Sequence, residues 1–153
     1  MSIENSVEIV TKPHYDFMFK KICKDEEVLR PLVAEILNVN LDNLTAVEFV
    51  DTEFTKDDSE GKTCRVDILV TVNNQVINLE LNVAAQTDYK DRSLLYAAKI
   101  FARGLAKNKK YGEVTSVICV NFIDFELFEY AKFHGQFQML ELENHTLLSK
   151  KLL

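Results

Sequence analysis

The feature that most constrains this chain is a pair of alternating runs on either side of Asn73-Asn74. From Cys64 to Val72, the residues Val66, Ile68, Val70 and Val72 fall on one face, and Arg65, Asp67, Leu69 and Thr71 on the other. From Val76 to Ala84, Ile77, Leu79, Leu81 and Val83 oppose Asn78, Glu80 and Asn82. Asparagine tolerates positive φ, so Asn73-Asn74 reads as the turn of a hairpin. That turn sets Asp67 opposite Glu80, and residues so paired share a sheet face with Cβ atoms ~5 Å apart. Two carboxylates this close repel unless a cation joins them. A hard ion such as Mg²⁺ or Mn²⁺ fits, because it takes carboxylate oxygens and keeps several waters. The residues alone leave a second reading open, a solvated acidic face on an exposed sheet. Asn82, two residues after Glu80, points the same way as the acid.

Around the hairpin, residues 14–38 carry helical spacing in Val28, Leu29, Leu32, Val33, Ile36 and Leu37. Pro31 lies inside the pattern, so it either opens a second helix or kinks a single one. Phe17 and Phe19 read as core. Ala46–Phe54 reads as a strand ended by the polar loop TKDDSEGK. A helix is predicted over Asp88–Ala106, with Asp88 as N-cap and Leu94, Leu95, Ala98, Phe101, Ala102 and Leu105 as its apolar side. Val117–Val120 is a continuous apolar run, as in a strand covered on both faces. Strand, helix and buried strand in succession predict a crossover and a parallel pair. Phe137–Leu142 reads as one more strand. The result is an α/β fold, a mixed central sheet flanked by helices. With 153 residues, 47% of them hydrophobic, the chain fits one domain, 1–153.

Several function classes are excluded. Cys23, Cys64 and Cys119 are odd in number and far apart, which argues against a disulfide framework and a zinc site. His14, His134 and His145 lack metalloprotease spacing, and there is no Gly-rich phosphate loop or GxSxG elbow. No signal segment opens the chain, and no apolar stretch approaches the roughly 20 residues that cross a bilayer, so the expectation is a cytoplasmic protein without membrane contact. The net charge of −6 weighs against tight nonspecific DNA binding. A local basic face, or cations held by the acids, can offset it.

The stretch from Lys62 to Phe128, KTCRVDILV…INLELNVAAQTDYKDRSLLYAAK…SVICVNFIDFELF, together with HYDFMFKKICKDEEVLRPLVAEILN near the start, resembles the PD-(D/E)XK nucleases known as recombination-promoting nucleases or transposases. Residues 12 to 143 match the family order and spacing. The resemblance implies a restriction-endonuclease-like core and a metal-dependent DNA endonuclease linked to recombination, transposition or mobile elements, leaving 5′ phosphate and 3′ hydroxyl ends. It makes Asp67 and Glu80 the metal-binding acids and Asp16 a helix acid that helps hold Mg²⁺ or Mn²⁺. Asn82 takes the place of the family Gln, itself a replacement for a catalytic Lys. Arg92 and Tyr96 match helix positions near the phosphate, and Lys62 and Arg65 flank the same edge. Lys107, Lys109 and Lys110 read either as a DNA track or as a solvated helix end. Family members commonly continue further, so a chain ending at Leu153 reads as a short form or a catalytic core. The implied partners are DNA and either a second copy or a longer relative. The alternative is a fold-retaining DNA-binding or protein-interaction module with impaired catalysis, which Asn82 and the acidic charge favour.

Overall fold

The computed structural model describes residues 16–54, 64–104, 110–129 and 132–153. The first helical segment divides in two, α1 (Asp16–Ile22) and α2 (Glu26–Leu37). The break lies where Asp25, in an extended conformation, turns its side chain to accept from the Glu27 N–H and caps α2. Pro31 sits in the interior of α2, neither at its first turn nor at a junction between helices. Asn38 ends α2 at φ 53°, and its N–H closes on the Ala34 and Glu35 carbonyls.

The central sheet has the order β1-β4-β5-β6, built from β1 (Glu48–Phe49), β4 (Ile68–Val72), β5 (Gln75–Asn82) and β6 (Ser116–Ile123). A separate ribbon pairs β2 (Glu53–Phe54) with β3 (Cys64–Arg65). The expected strand 46–54 is thus two short strands serving different sheets. The β4–β5 hairpin turns at Asn73 and Asn74, both at positive φ (47° and 57°), as a tight turn of matching twist requires. Thr45 anchors this turn. Its N–H donates to Asn73 Oδ1 and its hydroxyl accepts from the Asn73 N–H, each at 2.8 Å.

Helix α3 (Tyr89–Arg103) carries the chain from β5 to β6, which run parallel. α1 and α2 cover one face of the sheet, where Phe19, Leu29 and Val33 pack on Ile68, Val70, Val72, Ile77 and Leu79. α3 covers the other, where Ile100 packs with Leu69, Val66 and Val117. The fold is therefore a mixed sheet between helical layers, the α/β core expected.

Four local expectations are corrected. Val66 does not share the face of Ile68 but packs with Leu69, because the strand breaks at Val66-Asp67 between β3 and β4. Phe17 is 73% exposed, whereas Phe19 is core. β6 is fully buried only at Val117, its remaining residues being half-covered or exposed. Residues 137–142 form no strand; a single bridge joins Leu140 to Leu147. The chain's last residues instead run parallel along the free edge of β6, where the Cys119 N–H reaches the Leu153 carbonyl at 2.8 Å.

Candidate functional site

Register fixes the first part of the site. The β4–β5 pairing runs from Val72↔Gln75 to Ile68↔Leu79, and its next step sets Asp67 against Glu80. Here the backbone ladder gives way to side chains. The Asp67 N–H donates to Glu80 Oε1 at 3.1 Å, and the Leu81 N–H donates to Asp67 Oδ2 at 3.0 Å. Each acid thus accepts from the opposing strand, and both carboxylates are held at the end of the hairpin with little freedom. The same exchange explains why the alternation fails at Val66: the bend that frees the Asp67 N–H for a carboxylate interrupts the strand.

Glu80 projects toward α3 into a narrow polar pocket with Asn78, Asn82, Tyr89, Arg92, Ser93, Tyr96 and Asn121. The free space there is about 10 Å³, on the scale of one water. Burial pushes the Glu80 pKa up to about 7, and the neighbouring Asp67 charge adds to the shift. Hydrogen bonds from the Asp67 backbone and the Asn78 side chain, with the Arg92 charge, work against it. Asn78 is 1% exposed, and its Oδ1 has no hydrogen-bond partner.

Asn82 Oδ1 accepts from Arg92 Nη2, and Arg92 Nη1 donates to Gln86 Oε1 at 2.6 Å. Arg92 also stacks over the Tyr89 ring, 5.8 Å from its centroid. Tyr89 is buried, edge-on to Phe125, and burial pushes its pKa up to about 12. Arg92 is thus fixed from three sides with its charge turned to Glu80. On the same helix, Lys90 lies over the Phe128 ring at 4.4 Å.

The structure brings Asp67, Glu80, Asn82, Arg92 and Tyr96 together. Asp16 belongs to this group only through Lys20, whose ammonium lies 2.9 Å from Asp16 Oδ1 and 3.0 Å from Asp67 Oδ1. Burial works against the Lys20 charge, but the two carboxylates outweigh it and hold its pKa above the ordinary lysine value. Arg65 is exposed on β3 and does not line the pocket. Lys62, Lys107 and Lys109 lie outside the described residues, and Lys110 is exposed. Sequence reasoning missed Lys20 and Asn78. The signal for Lys20 was its spacing of one helical turn from Asp16. For Asn78 it was an amide in the middle of an otherwise apolar strand segment.

The apolar side expected of α3 is corrected in part: Phe101 packs on the core beneath the helix, and Leu105 lies outside the described residues. Leu94 and Leu95 are exposed at 64% and 43%, and the buried positions are Tyr89, Ala97 and Ile100. α3 turns a largely polar side, Arg92, Ser93 and Tyr96, onto the sheet because the strand beneath it is polar there.

Among the described residues no group of three or more His, Cys, Asp or Glu side chains gathers as a metal cluster. The donor chemistry is nonetheless that of a hard divalent ion: two carboxylates in one corner, with Glu80 raised in pKa by burial and by its like-charged neighbour. A cation relieves that repulsion, so the residues present fit such an ion.

A mixed sheet between helices, with paired acids at the open end of a central hairpin, defines a nuclease-like α/β core. The model of the PD-(D/E)XK nuclease family transposases matches residues 13–153, and the chain belongs to that family. Comparison with curated proteins and with solved structures gave no match. No helix among the described residues is long and apolar enough to cross a membrane.

Proposed function

We propose that this chain, as one domain over 1–153, is a metal-dependent DNA endonuclease acting in recombination or in the movement of mobile elements. The carrying observation is the interlock of Asp67 and Glu80, two acids fixed by each other's strands beside a half-buried arginine. Asp67 and Glu80 are the residues that would hold Mg²⁺ or Mn²⁺. Such an ion supplies Lewis-acid polarisation of the phosphodiester and lowers the pKa of a bound water. Arg92, oriented by Asn82 and Gln86, supplies a donor for the charge that develops on the phosphate oxygens. Tyr96 lines the same pocket and contributes to placing the phosphate. The overall charge of −6 makes DNA approach depend on these local cations. The proposed setting is the cytoplasm, with DNA as partner and pairing with a second copy or a longer relative.

A second reading is a family member that binds DNA or protein without cutting. The use of Asn82 Oδ1 on Arg92 favours it, since that bond turns the amide toward the arginine and away from a water on the acids. The test is nicking of supercoiled plasmid in Mg²⁺, in Mn²⁺ and in chelator. Metal-dependent nicking that Glu80→Gln abolishes supports the endonuclease. DNA retention without nicking in either metal hands the protein to the second reading.

A further inference from the structure

Asp67 is the less exposed partner of an ion pair that the sequence did not announce. Its side chain is 17% exposed, and that of Lys20 34%. One Asp67 oxygen is committed to the Leu81 N–H at 3.0 Å. The other, Oδ1, lies 3.0 Å from the Lys20 ammonium. A charge this far from water requires a counter-charge, and Lys20 provides it. Asp16, one turn earlier on α1, holds the same ammonium through both oxygens, at 2.9 and 3.0 Å. Phe19 fixes the helix itself, packed in the core and edge-on to Phe122 at 5.5 Å between ring centroids.

A divalent ion shared by Asp67 and Glu80 draws on a carboxylate that already faces the Leu81 N–H with one oxygen and the Lys20 ammonium with the other. An ammonium and a divalent ion on the same carboxylate repel each other, so each weakens the other's hold. Asp16 keeps the ammonium beside the site when it leaves Asp67, so its charge is moved without being lost. On the strand, Asn82 offers an uncharged amide already engaged with Arg92.

We propose that Lys20 is the resident cation of this site. It neutralises Asp67 in the metal-free protein, competes with the divalent ion for Asp67 Oδ1, and, retained by Asp16, places a positive charge beside the phosphodiester that Asn82 cannot supply. The inference rests on the metal-site reading above. In this role Lys20 is a positioning residue for Asp67 and a competitor for metal.

The test uses the whole chain and Mn²⁺ as the probe, with titration calorimetry on wild type, Lys20→Met and Lys20→Gln. Removing the competitor should tighten Mn²⁺ binding by roughly fivefold or more, since about fivefold is the upper worth of a fully exposed ion pair and this one is largely covered. In chelator, both variants should melt below wild type, because Asp67 loses its counter-charge. Saturating Mn²⁺ should close that gap. Single-turnover cleavage at saturating Mn²⁺ should nevertheless fall about tenfold or more, as when an aimed charge is removed from a site. Wild type that takes up Mn²⁺ no more weakly than either variant overturns the competition and leaves the metal site standing. Wild type that takes up no Mn²⁺ overturns the metal site and the inference with it. Tighter binding with unaltered cleavage overturns the role at the phosphate.

Discussion

The two faces of β5 carry opposite kinds of residue within one short strand. Ile77 and Leu79, fully buried, and Leu81, half-buried, meet α1 and α2 in the larger core. Asn78, Glu80 and Asn82, in alternation with them, meet α3 across a polar pocket. Apolar residues lose little by being buried, so the first face stabilises the fold. The second face buries an acid whose pKa is pushed up to about 7 and an amide oxygen with no partner. Buried polar groups left in this state cost stability. They persist where something other than stability requires them. The contrast teaches that one strand can hold its own site rigid: the leucine side locks the register on which the glutamate side depends.

Neighbouring substitutions break that contrast most sharply. Glu80→Gln should abolish cleavage, by at least about 100-fold in single-turnover rate, and leave the metal-free melting temperature equal or higher. Leu79→Ala, one residue away on the other face, should cost about 2–5 kcal/mol of stability by leaving a cavity. Its cleavage rate at a temperature where it remains folded should stay near that of wild type. Urea unfolding and plasmid cleavage on both variants measure the two effects. A Glu80→Gln protein that is strongly destabilised in chelator would show that the polar face is structural after all.

The next effect concerns the charge over the polar face. Arg92→Ala should slow cleavage by about 10- to 100-fold, because it removes a donor held in place by Asn82, Gln86 and the Tyr89 ring. Asn82→Lys should give little or no gain. Its ammonium would face the Arg92 guanidinium that Asn82 now accepts from, and two like charges in contact repel. Single-turnover rates in Mn²⁺ rank the three proteins. A large gain from Asn82→Lys would mean that Asn82 limits the chemistry and that Arg92 does not supply the missing charge.

How much of this was legible in the sequence follows the same division. Strict alternation around Asn73-Asn74 gave the hairpin, its register and the pairing of position 67 with position 80, since period and turn type leave no other solution. The crossover through α3 to a parallel β6 was legible for a similar reason. The sidedness of α3 was not. Apolar spacing selected Leu94 and Leu95, yet a helix lying over a polar strand turns the half-buried Arg92, Ser93 and Tyr96 toward it, and no periodicity of hydrophobic residues reports that. The break at Val66-Asp67 was hidden because side chains replace the ladder there. Lys20 was hidden because its partner Asp67 is distant in sequence and the contact exists only after α1 docks.

A smaller effect is the pH dependence of the metal-free protein. In the fold, Glu80 titrates at about 7, against an ordinary value of 4.5, chiefly because it is buried. Between these values the folded protein retains a proton that the unfolded chain has released. Stability from this group is therefore complete below about 4.5 and is lost as the pH rises toward about 7. Melting curves in chelator should show that fall in wild type and a flatter profile in Glu80→Gln. Identical profiles would mean that Glu80 is ionised in the fold throughout, and that its burial is compensated. Because an ion-binding carboxylate must be deprotonated, Mn²⁺ affinity should climb over the same interval.

The smallest effect, and the one that separates the two faces most finely, is at Asn78. Its side chain hydrogen-bonds Glu80 and lowers the Glu80 pKa against the pull of burial, while its Oδ1 is buried without a partner. Asn78→Leu keeps the branched shape and the number of heavy atoms, with bulkier methyl groups, and turns this position into one of the apolar kind found on the opposite face. Two consequences oppose each other in stability. An orphaned acceptor, worth about 1–3 kcal/mol of desolvation, disappears, and a hydrogen bond to a carboxyl group, worth a similar amount, goes with it. The net change should lie within about 1 kcal/mol. The Glu80 titration, in contrast, loses a stabilising donor for its charged form and gains apolar surroundings. Its midpoint must then move above about 7, and the pH at which Mn²⁺ affinity climbs must move with it. Carbon-detected NMR titration of the Glu80 carboxyl in wild type and Asn78→Leu reads the shift directly. An unmoved midpoint would show that Asn78 does not tune the acid. A loss of more than about 3 kcal/mol would show that Oδ1 is satisfied by a water in the adjoining space, which leucine evicts.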